Sequence, residues 1–211
     1  MDLRSLTEEF HRRFDETMAA REAALVASRK AIRSSANAIR AIHRAEADEA
    51  ERLMDEARRA LDDGEAATER HQGVRHAGFL HDAQKEYAEA RLTEAVVFGR
   101  ELPDADAVGV PPAAYLNGMA EAIGEARRTV LDLLRGGWPG RAEAILATMD
   151  DMYSVLVTMD YPDAITGNLR RSTDVARSII EKTRGDLSVS LVQQELRDAL
   201  ERHAEDLRGG G

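Results

Sequence analysis

ALVASRKAIRSSANAIRAIHRAEADEAERLMDEARRAL, residues 24–61, decides the fold class. Small apolar side chains return every third or fourth residue through it, at Ala24, Ile32, Ala36, Ile39 and Ile42, as they do upstream at Phe14 and Met18. That period is the signature of an α-helix with one buried face. No proline occurs before Pro103, so the first hundred residues read as nearly uninterrupted helix. Ser5-Leu6-Thr7-Glu8 reads as a capping box that opens the first helix, which runs to about Leu61, where Asp62-Asp63-Gly64 breaks it. A second helix fits Glu65 to Arg100, and a loop with Pro103, Gly109, Pro111 and Pro112 spans Leu102 to Pro112. A third helix runs from Pro112 to Leu134 and ends at Gly136-Gly137; a fourth covers Pro139 to Met159. Tyr161-Pro162 interrupts, a fifth helix runs from Asp163 to Arg184, Gly185 closes it, and Ser188 to Leu207 forms the last. No segment alternates with period two. The expectation is therefore an all-α, elongated bundle of six to seven helices, one domain over residues 1–208, with a frayed tail at 209–211.

Composition narrows the function. The 211 residues contain no cysteine, which excludes a disulfide framework and a thiolate metal site. Charged residues make up 32% and aromatic residues 4%, which suits long solvated helices. No apolar run is long enough to span a membrane, and the charged start MDLRSLTEEFHRRFDE has no signal-peptide core, so a cytoplasmic location is expected. The net charge of −10 argues against indiscriminate nucleic-acid binding by the whole surface, and leaves room for a local basic patch. Lysine occurs only at Lys30, Lys85 and Lys182, a bias that fits either a high-salt cytoplasm or a GC-rich genome.

Two acidic pairs stand out. Asp82, Glu86 and Glu89 share a stripe of the second helix, and Glu121 and Glu125 sit one turn apart on the third. Like charges at such spacing weaken a helix unless something neutralises them. If the two helices pack side by side, Glu86, Glu89, Glu121 and Glu125 converge. Four hard oxygen donors suit Mg²⁺ or Mn²⁺, an ion that activates water and stabilises charge on a phosphodiester. Spacing alone leaves a second reading open, that of a solvated face, which is common in so acidic a chain.

The first helix carries the opposite sign. Arg29, Lys30, Arg33, Arg40, His43 and Arg44 fall in a stretch from Ser28 to Arg44 without a single acid. Such a stripe neutralises a nucleic-acid backbone, or else pairs with acids of another helix or subunit. A further basic cluster lies at Arg170-Arg171-Ser172.

The motifs carry a resemblance. Gln84-Lys85-Glu86-Tyr87-Ala88-Glu89-Ala90 resembles the Gln-Glu-Tyr-x-Glu-Ala motif of the Trax branch of the translin/Trax family. Residues 115–128, YLNGMAEAIGEARR, resemble its second motif, Tyr-Leu-x-Gly-x-Ala-Asp-x-x-Gly-Glu-Leu, with Glu121 in place of the aspartate. The late Tyr161-Pro162 and the Arg184-Gly185-Asp186 segment also fall in order, and the likeness runs from about residue 10 to 205. The resemblance implies a helical subunit of a hollow homo-oligomer, a hexamer or octamer. It also implies a metal-dependent endoribonuclease acting on single-stranded RNA, with Glu86, Glu89, Glu121 and Glu125 as catalytic residues and ligands to Mg²⁺ or Mn²⁺. The Arg29–Arg44 stripe falls where the family has its basic first helix. The alternative it implies is a translin-like protein that binds single-stranded RNA or DNA without cutting.

Overall fold

The computed structural model describes residues 2–209, all of whose regular structure is helical. In chain order the helices are α1 (Leu3–His43), α2 (Ala47–Thr68), α3 (Gln72–Arg75), α4 (Gly78–Phe98), α5 (Ala105–Val108), α6 (Pro112–Arg135), α7 (Pro139–Leu156), α8 (Asp163–Thr166) and α9 (Leu169–Gly209). The all-α expectation holds. None of the described helices is long and apolar enough to cross a membrane.

Several expected boundaries move. The first helix opens one turn earlier than the capping box at Ser5 and Glu8: the Asp2 side chain accepts from the Arg4 N–H at 3.1 Å, while Glu8 pairs with Arg4. It ends at His43, not Leu61. The chain reverses over Arg44–Glu46, where the Glu46 N–H returns to the Ala41 carbonyl and Ala45 takes φ +59°. A left-handed alanine costs about 1–2 kcal/mol, and what offsets it is the pairing of two alanine-rich faces. Ala31, Ala38 and Ala41 of α1 and Ala50, Ala57 and Ala60 of α2 are buried in one cluster. Asp62-Asp63-Gly64 does not break the chain but lies within α2, because Gly64 is a packing residue: a Cβ there meets Leu80 at 3.1 Å and Ala27 at 3.3 Å.

The expected helix 65–100 is divided by the one-turn α3, and the loop 102–112 holds the one-turn α5, capped by Asp104. The expected helix 163–184 is cut at Gly167-Asn168, both with positive φ, leaving α8 as a single turn. Gly185 does not close a helix; it sits on the solvent side of α9 with open space around it. There the ~1 kcal/mol penalty of an interior glycine is outweighed by the continuing ladder. Gly209 ends α9, and the rest of the expected tail, 210–211, lies outside the described residues.

Two apolar clusters make the core. The first joins α1, α2, α5 and the first half of α4; the second joins the second half of α4 with α6, α7 and α9. Helix α4 is buried nearly all round from Tyr87 to Val96, so it is the central helix. Tyr115 packs against both clusters, and its hydroxyl donates to the Pro103 carbonyl at 2.7 Å. Glu89 lies on α4 where one cluster gives way to the other, between Ala88 and Ala90 of the first and Leu92 of the second.

Candidate metal centre

The contact between α4 and α6 is set by one residue. Gly118 faces α4 so closely that a Cβ there falls 2.7 Å from the Lys85 carbonyl oxygen, 2.8 Å from Ala88 Cβ and 2.9 Å from the Glu89 nitrogen. Backbone rests on backbone. One turn further along α6 is Glu121, so the close approach carries its carboxylate toward those of Glu86 and Glu89. Oxygen atoms of these three lie within 4.8 Å of one another. Asn117 secures the other side of α6: its amide donates to the Thr166 carbonyl at 2.7 Å and its oxygen accepts from Ser172 Oγ at 2.9 Å. The start of α9 is thereby bolted beside the acidic cluster.

Glu89 is 9% exposed and has no hydrogen-bond or ion-pair partner among the described residues. Burial, reinforced by the charges of Glu121, Glu86 and Glu125, pushes its carboxyl up to about 8 against the partial relief of Lys85. Glu86 is also raised, first by burial and then by Glu121, with Lys85 opposing. Lys85 Nζ stands 2.7 Å from Glu121 and 3.6 Å from Glu86. Burial works against its ammonium, but the hydrogen bond to Glu121 and the charges of Glu121, Glu86 and Asp82 outweigh that and hold it above the ordinary lysine range. With the Glu89 carboxyl holding its proton at neutral pH, Glu86 and Glu121 still outweigh the one ammonium in a partly dry site. An all-oxygen set of this kind fits a hard divalent cation, and a buried carboxylate with no protein donor is a ligand in waiting.

The structure thus brings together Glu86, Glu89 and Glu121, and sets Glu125 apart. Glu125 accepts from His43 Nε2–H at 2.5 Å, and that hydrogen bond holds its carboxyl below the ordinary range despite burial. His43 is 4% exposed on its side chain, so it leaves the basic stripe and turns into the bundle. The remaining stripe is on the surface, with Arg29, Lys30, Arg33 and Arg40 on α1 and Arg44 just beyond its end. Lys30 reaches Glu56 at 3.8 Å, Arg40 hydrogen-bonds Asn37, and Arg44 pairs with Glu46. Arg29 and Arg33 have no ion-pair partner among the described residues. Sequence reasoning missed Gly118 and the His43–Glu125 bond. The first had a signal, a glycine in mid-helix one turn before an acid; the second joins residues 82 positions apart and had none.

Fold and site together define a class: an all-helical protein with a carboxylate centre between two central helices. No family profile matches the chain. A solved structure of AfC3PO is 32% identical with TM-score 0.80, and a structure of AfC3PO with duplex RNA is 32% identical with TM-score 0.77; each alignment covers 89% of this chain and 97% of the other. Apo-NeC3PO, at 18% identity and TM-score 0.77, shares the fold. An uncharacterized protein of Methanocaldococcus jannaschii is 32% identical over 126 residues, and the alignment spans 56% of that protein's length. The chain belongs to the translin/Trax family.

Proposed function

We propose that this chain is a metal-dependent endoribonuclease acting on single-stranded RNA as the subunit of a hollow homo-oligomer, with residues 1–208 as one domain. The observation that carries the reading is the convergence of Glu86, Glu89 and Glu121 within 4.8 Å. RNA as the substrate class is supported by the AfC3PO relative, whose structure with duplex RNA shares this fold. Assembly is supported by apolar side chains with nothing covering them, among them Phe14 and Met18 on α1 and Val192, Leu196 and Leu200 on α9.

Glu86, Glu89 and Glu121 would hold Mg²⁺ or Mn²⁺, an ion that when bound polarises the phosphodiester and makes water a better nucleophile. Hydrolysis joins the oxygen of water to phosphorus and breaks one P–O ester bond. The proton of the water passes to a carboxylate oxygen of Glu125, which His43 keeps ionised and oriented. The leaving ester oxygen takes up a proton from solvent. The surface arginines of α1 neutralise the strand's phosphates, while the acidic remainder of the surface keeps the assembly in solution.

The test is cleavage of an end-labelled single-stranded RNA in Mg²⁺, in Mn²⁺ and in EDTA. Cutting is expected with either ion and none with EDTA. A second reading has its own observation: the Lys85 ammonium already neutralises part of the cluster. A binder that never cuts would bind the RNA in all three buffers and leave it intact, and that outcome overturns the nuclease reading. The stripe makes a separate prediction. Replacing Arg29, Arg33 and Arg40 together by glutamate is expected to weaken RNA binding at low salt by more than tenfold. The dependence of log K on log[KCl] should also become shallower by about 2, since each phosphate contact on a single strand contributes roughly 0.7. An unchanged salt slope would remove the stripe from the interface.

A further inference from the structure

A cleft of about 400 Å³ opens directly onto the carboxylates, and its opposite wall comes from the first turns of α9. Glu89, Glu121 and Ala120 form one side; Arg171, Ser172, Val175 and Ile179 form the other. Its two halves differ in chemistry, with charge at the Arg171 end and aliphatic surface at Val175 and Ile179.

Arg171 is exposed and has no ion-pair partner among the described residues, whereas its neighbour Arg170 pairs with Asp160 at 3.2 Å. It also sits in the first turn of α9, which contains no acid. A cation there opposes the helix dipole, so the fold gains nothing from it. What the position does offer is an anion site: the positive end of a 41-residue helix and a guanidinium with two parallel donors. The wall is held in place, because Ser172 is fixed to Asn117 on α6, one turn from Glu121. Facing it is Glu89, nine-tenths buried and without a protein partner. Arginine and carboxylates thus stand on opposite sides of one cleft without neutralising each other. A ligand that satisfies both is an anion carried with a divalent cation, and a phosphate group has that character.

We propose that this cleft is a single-nucleotide subsite: Arg171 grips the non-bridging oxygens of the phosphate that faces Glu86, Glu89 and Glu121, and Val175 and Ile179 seat the attached sugar or base. The volume lies at the small end of the range for bound small molecules. At that size it takes one nucleotide residue. The inference rests on the nuclease reading for its role, but its test does not require cutting.

The test is binding of uridine 5′-monophosphate in the presence of Mg²⁺, followed by phosphorus NMR titration on the 211-residue chain, beside single-turnover cleavage of single-stranded RNA. Arg171→Ala is expected to weaken nucleotide binding at least tenfold, Arg171→Lys less, and Val175→Asp to weaken uridine monophosphate but not inorganic phosphate. Cleavage by Arg171→Ala should fall roughly a hundredfold while binding of long RNA, held by the α1 arginines, stays within a few-fold. Circular dichroism melts of each variant confirm folding; the Arg171 side chain has no ion pair or hydrogen bond to lose among the described residues. Equal nucleotide affinity in wild type and Arg171→Ala, or no binding by either, overturns the subsite whether or not RNA is cut. Arginine-dependent nucleotide binding by a wild type that cuts nothing keeps the subsite and overturns the nuclease reading alone.

Discussion

Glu89→Gln is expected to abolish metal-dependent RNA cleavage while making the metal-free protein more stable. Residues that merely orient a metal ligand cost 10–100-fold in affinity or activity when changed, so loss of a ligand should cost about a hundredfold or more. The gain in stability follows from the same burial. Unfolded, the Glu89 carboxyl titrates near 4.5; folded, it is pushed up to about 8. Between those values the native state binds a proton that the unfolded chain does not. Stability of the metal-free protein therefore falls as pH rises through this window, the reverse of the usual salt-bridged carboxylate. Glutamine matches the shape without the charge and flattens that slope. The measurement is thermal unfolding from pH 5 to 8 in EDTA and in Mg²⁺, for wild type and variant. In wild type, Mg²⁺ should raise the melting temperature most at the alkaline end, where the carboxylates are bare; in Glu89→Gln the rise should be largely gone. A variant that is less stable without metal at pH 8, yet still gains from Mg²⁺ as wild type does, would remove Glu89 from the centre.

Gly118→Ala is the second large effect. On an exposed helix the exchange gains about 1 kcal/mol. Here the added methyl lands 2.7 Å from the Lys85 carbonyl oxygen and 2.9 Å from the Glu89 nitrogen, and main chain cannot swing aside as a flexible side chain can. Helices α4 and α6 must part, at a cost of about 1–3 kcal/mol for overpacking. Because Glu121 lies on one helix and Glu86 and Glu89 on the other, the same separation spreads the ligands. Mg²⁺ affinity should fall further than stability does. Gly124→Ala is the matched control: its Cβ meets only Ile179 Cδ1, at 3.8 Å, so it should be neutral or mildly stabilising. Unfolding melts and metal titrations of the pair check both statements. Equal behaviour of the two alanines would mean that the helix contact at Gly118 does not set the geometry of the site.

What was legible in the sequence is what local chemistry determines. The three-to-four period gave the helices, prolines 103, 111, 112, 139 and 162 marked real boundaries, and paired acids on two helices pointed to the convergence of Glu86, Glu89 and Glu121. The failures share a cause. Gly64 and Gly185 looked alike as helix breakers, yet one is pressed against Leu80 and Ala27 and the other is surrounded by solvent; neither ends its helix. The true reversal, at Arg44–Glu46, carries no glycine or proline and exists because two alanine faces meet. His43 was grouped with the arginines beside it, but its partner Glu125 is on another helix. Pairings across the bundle leave no trace in spacing along one helix.

Lys85 has a consequence for how the protein comes into being. Its ammonium lies among the carboxylates with no ion needed from outside. A newly made chain can therefore close α4 onto α6 with a counter-charge that is covalently its own. Under the proposed function, a divalent cation would enter a site whose two helices are already closed, separately from folding. Small zinc domains, by contrast, stay unfolded until metal arrives. On the proposed metal-dependent reading, a tethered cation of this kind makes folding and metal loading two separate events: a chain closed on Lys85 has its fold before any ion arrives.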